Sequence, residues 1–168
     1  MISSLKRSLE STFKDVEVRG SGDGRLSVLA PKDSIPVVLG YLKENGLDHL
    51  ALLSCVDWQQ RGTLEVVYIL SAYMQNNTDH TLDQRLHVLL RTHLPRENPE
   101  LQSVIGVFAN AEPYEREIHE LFGVRFVGHP RLIPLFLERE YEIPPFRKDF
   151  DTRRYVEEVF DAIPPVDK

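Results

Sequence analysis

The chain has 168 residues, of which 42% are hydrophobic and 27% charged, with a formal net charge of −6. This is the size and composition of one globular domain with a real core. It carries no basic patch for nucleic acid, and its single cysteine, Cys55, excludes an intrachain disulfide.

The opening Met1-Ile2-Ser3-Ser4-Leu5-Lys6-Arg7 lacks the apolar stretch of a signal peptide, and no run reaches the ~18 apolar residues that a bilayer span needs. Residues 3–14 are expected to be a short helix, with Leu5, Leu9 and Phe13 recurring every four positions. Residues 16–19 and 25–30 suit two strands joined by a glycine-rich hairpin at 20–24. These glycines lack a following GK[ST] and helix, so they do not cradle phosphate. Asp33 or Ser34 is expected to cap a helix with Pro36 in its first turn and Gly46 just beyond its last.

Three strands should follow, at 49–58, 63–73 and 85–92, with a turn at 59–62 and a polar loop at 75–79. Leu64, Val66, Tyr68, Leu70 and Ala72 share one face of the second. Val67 and Ile69 make the other face apolar too, so both are expected to be partly covered. Cys55 lies in the apolar run 50–56 and is expected to be buried, reduced and inert. Asn98 and Pro99 carry the local signature of a helix start, and a short helix is expected there.

The densest information lies at 114–130 (YEREIHELFGVRFVGHP). Asn110 can cap a helix that runs to Phe122 and stops at Gly123. At 100° per residue, Tyr114, Ile118, Leu121 and Phe122 form one stripe with Glu115 and Glu117 on its flanks. Glu112, Arg116 and Glu120 stack on the far face, with His119 beside them. A solvated ladder of such pairs contributes only about 0.2–0.5 kcal/mol per pair. The functional alternative is a docking face that holds Arg116 between carboxylates.

Catalytic and metal readings fail on spacing. Glu115 and His119 supply two ligands at most, and no second helical histidine follows as in a zinc protease. His129, between a glycine and Pro130, suits a turn bonded to backbone better than a ligand. No nucleophile elbow, dinucleotide fingerprint or cysteine set for an iron–sulfur cluster is present. The chain therefore offers docking surfaces. A stand-alone metalloenzyme using Glu115, His119 and His129 is the remote alternative.

After Pro130, Pro134, Pro144, Pro145, Pro164 and Pro165 exclude long regular structure. Leu132, Ile133, Leu135, Phe136 and Leu137 are nevertheless too apolar for a solvated tail. Pro145-Phe146-Arg147-Lys148-Asp149-Phe150 suits a rigid arm that anchors Phe146 and Phe150 in pockets and offers Arg147 to a carboxylate.

Three motifs in this order resemble one family. They are Glu115-Arg116-Glu117-x-x-Glu120-Leu121-Phe122-Gly123, Phe126-x-Gly128-His129-Pro130 and Arg147-Lys148-Asp149-Phe150. The family is the C, or thirty-kilodalton, subunit of respiratory complex I. It includes counterparts in membrane-bound nickel–iron hydrogenases, sulfane reductase and a deazaflavin-dependent dehydrogenase. The upstream strand pairs with Val56-Asp57-Trp58 extend the resemblance over most of the chain. The linker 131–145 lacks the tryptophan and glycine usual in the NADH:quinone enzymes, and Phe146 replaces the usual leucine. This leans toward the hydrogenase or sulfane reductase branch.

The resemblance implies a subunit without a cofactor or catalytic residue of its own. Its partners would be a large nickel–iron hydrogenase-like subunit, a small iron–sulfur subunit and other peripheral-arm subunits. Iron–sulfur clusters, and nickel–iron or flavin groups, would sit in those partners. It also implies a peripheral location on the cytoplasmic side of the cell membrane. By motif position and by the helix geometry, Glu112, Glu115, Arg116, Glu117, Glu120, His129, Phe146, Arg147, Asp149 and Phe150 are the expected interface residues. The fold class expected is α+β: one domain over 1–128, with a mostly antiparallel sheet and helices on one face. An extended proline-rich arm over 129–168 would follow and wrap a partner.

Overall fold

The computed structural model describes residues 2–21, 24–72, 86–137 and 141–159. Helix α1 spans Ile2–Thr12, strands β1 and β2 span Glu17–Ser21 and Arg25–Leu29, and helix α2 spans Ile35–Glu44. Strands β3, β4 and β5 cover His49–Trp58, Thr63–Ser71 and His87–Pro95. The short strands β6 (Glu100–Gln102) and β7 (Arg125–Val127) flank helix α3 (Ala111–Phe122), and α4 spans Thr152–Val159. The expected loop at 75–79 and the prolines at 164 and 165 lie outside the described residues.

The main sheet has five strands in the order β1-β2-β5-β4-β3. Every neighbouring pair is antiparallel except β2 and β5, which run parallel. Alternation sorts the strands into two faces. Leu64, Val66, Tyr68 and Leu70 of β4 are 0% exposed, and the three aliphatic ones each contribute roughly 1.5–3 kcal/mol through their burial. Leu5 and Leu9 of α1, Val38, Leu39 and Leu42 of α2, and Ile118 of α3 close over that face in one core. The sheet is mostly antiparallel with helices on one face, as the strand and helix periodicities imply.

Cys55 is buried in this core, and its thiol is pushed up to about 12, chiefly by burial and then by the charge of Asp57. It is held as the inert thiol that its apolar surroundings predict.

One expectation needs correction. The Asn98-Pro99 segment opens strand β6 instead of a helix. β6 pairs in parallel with β7, Leu101 sits in the core, and Arg125 N donates to Pro99 O at 2.8 Å. A local helix-start signature loses to this pairing with a segment that follows a whole helix later. Beyond the proline pair at 144 and 145, the short helix α4 forms. Asp151 caps α4 with its carboxylate, which accepts from Arg153 N and Arg154 N at 3.0 and 3.1 Å.

Candidate functional site

Helix α3 organises the conspicuous residues. Asn110 precedes it without a side-chain cap bond, because its Nδ2 donates instead to Leu50 O at 2.9 Å. The register of β3 shifts between Leu50 and Leu52. That bulge turns neighbouring carbonyls toward α3, and the Tyr114 hydroxyl donates to Ala51 O at 3.4 Å. At the other end Gly123 takes the left-handed conformation, φ +76°, that the stop requires. His119 Nδ1 donates to Val124 O at 2.9 Å and steadies the exit.

The buried stripe of α3 is Ala111, Glu115, Ile118 and Leu121. Glu115 thus lies within the buried stripe, not on its flank as expected, with 0% exposure. Its carboxylate accepts from Ser103 Oγ and Val104 N, both at 2.7 Å, and so pins the chain between β6 and α3. Burial raises its pKa to about 7, against the lowering effect of those two bonds, with Glu112 adding to the rise.

The folded chain therefore holds a proton on Glu115 that the unfolded chain releases near the ordinary carboxylate range of ~4.3. Stability from this group falls as pH rises from about 4.5 to about 7, by about 3 kcal/mol in all. Glu115→Gln keeps an acceptor for Val104 N and a donor for Ser103 Oγ but cannot ionise. The variant is expected to lose this pH dependence in urea titrations at pH 5 and 8. An unchanged slope would refute it.

The far face of α3 meets the chain's own arm. Arg116 donates from Nε to Ile133 O at 3.0 Å and from Nη2 to Pro134 O at 2.9 Å. Its Nη1 reaches Glu112 at 3.5 Å. One turn on, Glu120 accepts from the backbone N–H groups of Leu135, at 3.0 Å, Phe136, at 3.1 and 3.2 Å, and Leu137. Successive amides make an anion-binding concavity of this kind. An i,i+4 pair thus grips the backbone of five consecutive residues, 133–137. His129 buttresses the same turn: its Nε2 donates to Glu112 O at 3.3 Å and its Nδ1 accepts from Arg131 N at 3.0 Å. Glu117 stays half-exposed.

The Arg147-Lys148-Asp149 turn docks at the C-terminal end of α3. Phe146 N donates to Leu121 O at 2.9 Å and Arg147 Nε to Phe122 O at 2.8 Å, which satisfies helix-end carbonyls and sets a cation on the negative end of the dipole. Asp57, whose side chain is 0% exposed, receives Arg96 in a fork at 2.9 and 3.1 Å. The same carboxylate accepts from Lys148 N at 2.8 Å, and Arg96 also binds Asp149. Phe150 stacks among Tyr141 and Tyr155, with centroids 5.9 and 5.8 Å away. Phe146 meets Phe122 edge-on yet stays 57% exposed.

Arg96 and Glu65 escaped the motif reading, and Asp57, though part of Val56-Asp57-Trp58, was not among the expected interface residues. The signal available for Asp57 was parity: it falls on the core side of β3 with Leu53 and Cys55, where an acid demands a partner. Glu115 and His119, the potential pair of metal ligands, are spent on separate internal bonds. Among the described residues no group of three His, Cys, Asp or Glu side chains converges as a metal site. Among them, too, no helix is long and apolar enough to cross a membrane.

Residues 28–156 match the family model described as respiratory-chain NADH dehydrogenase, 30 Kd subunit. The C subunit of the F(420)H(2) dehydrogenase of Methanosarcina mazei is 39% identical over 129 residues, which is 76% of each chain. The C subunit of the NADH-quinone oxidoreductase of Moorella thermoacetica is 30% identical over 145 residues, covering 86% of this chain and 91% of that one. A chain in the solved structure of an archaeal membrane-bound sulfane sulfur reductase superposes with a TM-score of 0.82. It is 26% identical and covers 99% of this chain and 95% of its own.

Proposed function

Since the chain belongs to the family of the 30 kDa subunit of respiratory-chain NADH dehydrogenase, we propose that it is a structural subunit of a complex I-like, membrane-associated oxidoreductase. It carries no cofactor and performs no chemistry of its own. It braces the large, nickel–iron hydrogenase-like subunit beside the small iron–sulfur subunit on the cytoplasmic side of the membrane. The supporting observation is the Arg116–Glu120 grip. Signature residues that carry charge and could serve catalysis are spent on holding backbone 133–137 in place. Along the gripped segment, Ile133 and Phe136 are left facing outward at 42% and 68% exposure. A clamp that turns backbone inward and apolar groups outward serves a docking arm.

The match to the sulfane reductase chain over nearly the whole length supports the hydrogenase or sulfane reductase branch. The 39% identity to the F(420)H(2) dehydrogenase chain favours a second reading, a deazaflavin-dependent complex. Assaying the purified native complex for hydrogen, polysulfide and reduced deazaflavin turnover separates them.

Arg116→Ala combined with Glu120→Gln is expected to leave the core folded and to cut recovery of this chain on a tagged large subunit about tenfold, ~1.4 kcal/mol. Unchanged recovery would overturn the bracing role. One retained equivalent of metal in the purified single chain would instead support the metalloenzyme reading.

A further inference from the structure

The sheet face opposite the helices is not built like a solvated one. On β3, Leu52, Val56 and Trp58 project from it at 41%, 39% and 39% exposure. The register sets Leu52 beside Ile69 and Leu89, and Ser54 beside Val67 and Arg91. With strands ~4.8 Å apart and a rise of ~3.3 Å per residue, this apolar patch spans on the order of 200–300 Å². That approaches the largest patch on a typical monomer, where an antiparallel sheet open to water alternates to polar residues.

The acid on the patch is already paired, while Arg91 Nε, buried, has no hydrogen-bond partner among the described residues. Glu65 lies at its centre, only 6% exposed. Trp58 Nε1 donates to one of its oxygens at 2.8 Å and Arg91 to the other at 3.1 Å. Arg61 stacks over the Trp58 ring at 4.9 Å. Both carboxylate oxygens are thus satisfied without water, so covering the patch strands no anion. Glu65 is the one acid on the outward face of β3–β5, while Arg91, His87 and His93 share that face. In a chain of net charge −6, this surface presents donors and cations and no free carboxylate.

We propose that the helix-free face of β3–β5 is a second protein interface, separate from the arm. It takes an apolar surface of another subunit, rimmed by carboxylates that meet Arg91 and Arg61. This rests on the assignment of the chain to a multisubunit complex. A protein surface suits this face because its central acid is already buried and paired, so a dry contact covers no unmet anion.

The test uses the native complex and the full-length chain. Leu52→Glu and Leu52→Lys alter an exposed position that faces Ile69, away from Glu65, and are expected to leave the melting temperature of the free chain nearly unchanged. Recovery in the affinity-purified complex should fall about tenfold or more, as charge enters an apolar contact. Val37→Glu, at an equally apolar site on α2 that is 64% exposed, should be recovered normally. Oxidative footprinting of Trp58 should show protection in the complex and none with phosphatidylglycerol vesicles. Normal recovery of the β3 variants, equal loss in Val37→Glu, or Trp58 protection by vesicles alone would each overturn the proposal. If the wild-type chain is absent from any oxidoreductase complex, the functional assignment itself fails, and that result is read before any variant is made.

Discussion

Replacing Asp57 with alanine is expected to cost about 3–5 kcal/mol of unfolding free energy and to loosen the Arg147-Lys148-Asp149 turn. The carboxylate has no exposed side-chain surface, takes a forked pair of bonds from Arg96, and accepts the Lys148 amide. Its removal leaves the Arg96 guanidinium, 17% exposed, with Asp149 as its one remaining counter-charge among the described residues. Asp57→Asn keeps one acceptor and should lose less, about 1–2 kcal/mol. Urea unfolding gives the energies, and hydrogen exchange at the Lys148 amide reports on the turn. An alanine loss below ~1 kcal/mol would show that the network is solvated and contributes little.

The same carboxyl sets the acid limit. Burial alone would raise its pKa, but the Arg96 and Lys148 hydrogen bonds outweigh it and hold the group below the usual range. Its stabilisation is present above about pH 4 and is lost as pH falls through the folded value. Glu115 acts in the opposite direction, since its contribution declines as pH approaches about 7. Maximum stability is therefore expected in mildly acid solution.

Gly123→Ala is the second large effect. At φ +76° a Cβ costs roughly 1 kcal/mol on conformation alone. It would also stand 2.9 Å from Pro144 Cγ and 3.1 Å from Arg147 Nη2, so the arm must move. The total expected is about 2–4 kcal/mol. Gly62 supplies the control. Its φ is +63° and nothing lies within 4 Å of an added Cβ. Gly62→Ala should show the conformational part only, and the difference between the two melting curves measures the arm contact. Equal losses would mean that the arm does not bear on the end of α3.

Much of this architecture was legible where it depends on neighbours along the chain. The β3–β4 pair, the helix at 111–122 and its stop at Gly123 all follow from period and turn chemistry. What failed depended on distant partners. Pro99 looked like a helix start because the strand that claims it lies beyond α3. Glu115 looked like a flank residue because a helical wheel sends charge outward, and nothing local marks Ser103 and the Val104 amide as its acceptor-seeking partners. The Arg116 and Glu120 face was legible as more than a solvated ladder. Its covering by residues 133–137 of the same chain was not, since backbone groups leave no mark in side-chain pattern.

The covering of α3 by its own strap has an evolutionary side. The grip on 133–137 uses carbonyls and amides alone, and every residue type has the first and all but proline the second. Side chains at 135–137 can thus be exchanged without unfastening the strap, so one clamp can present different surfaces to different neighbours while Arg116 and Glu120 stay unchanged. A saturation library at Leu135, Phe136 and Leu137 should accept nearly everything except proline for folding, yet remain narrow for assembly.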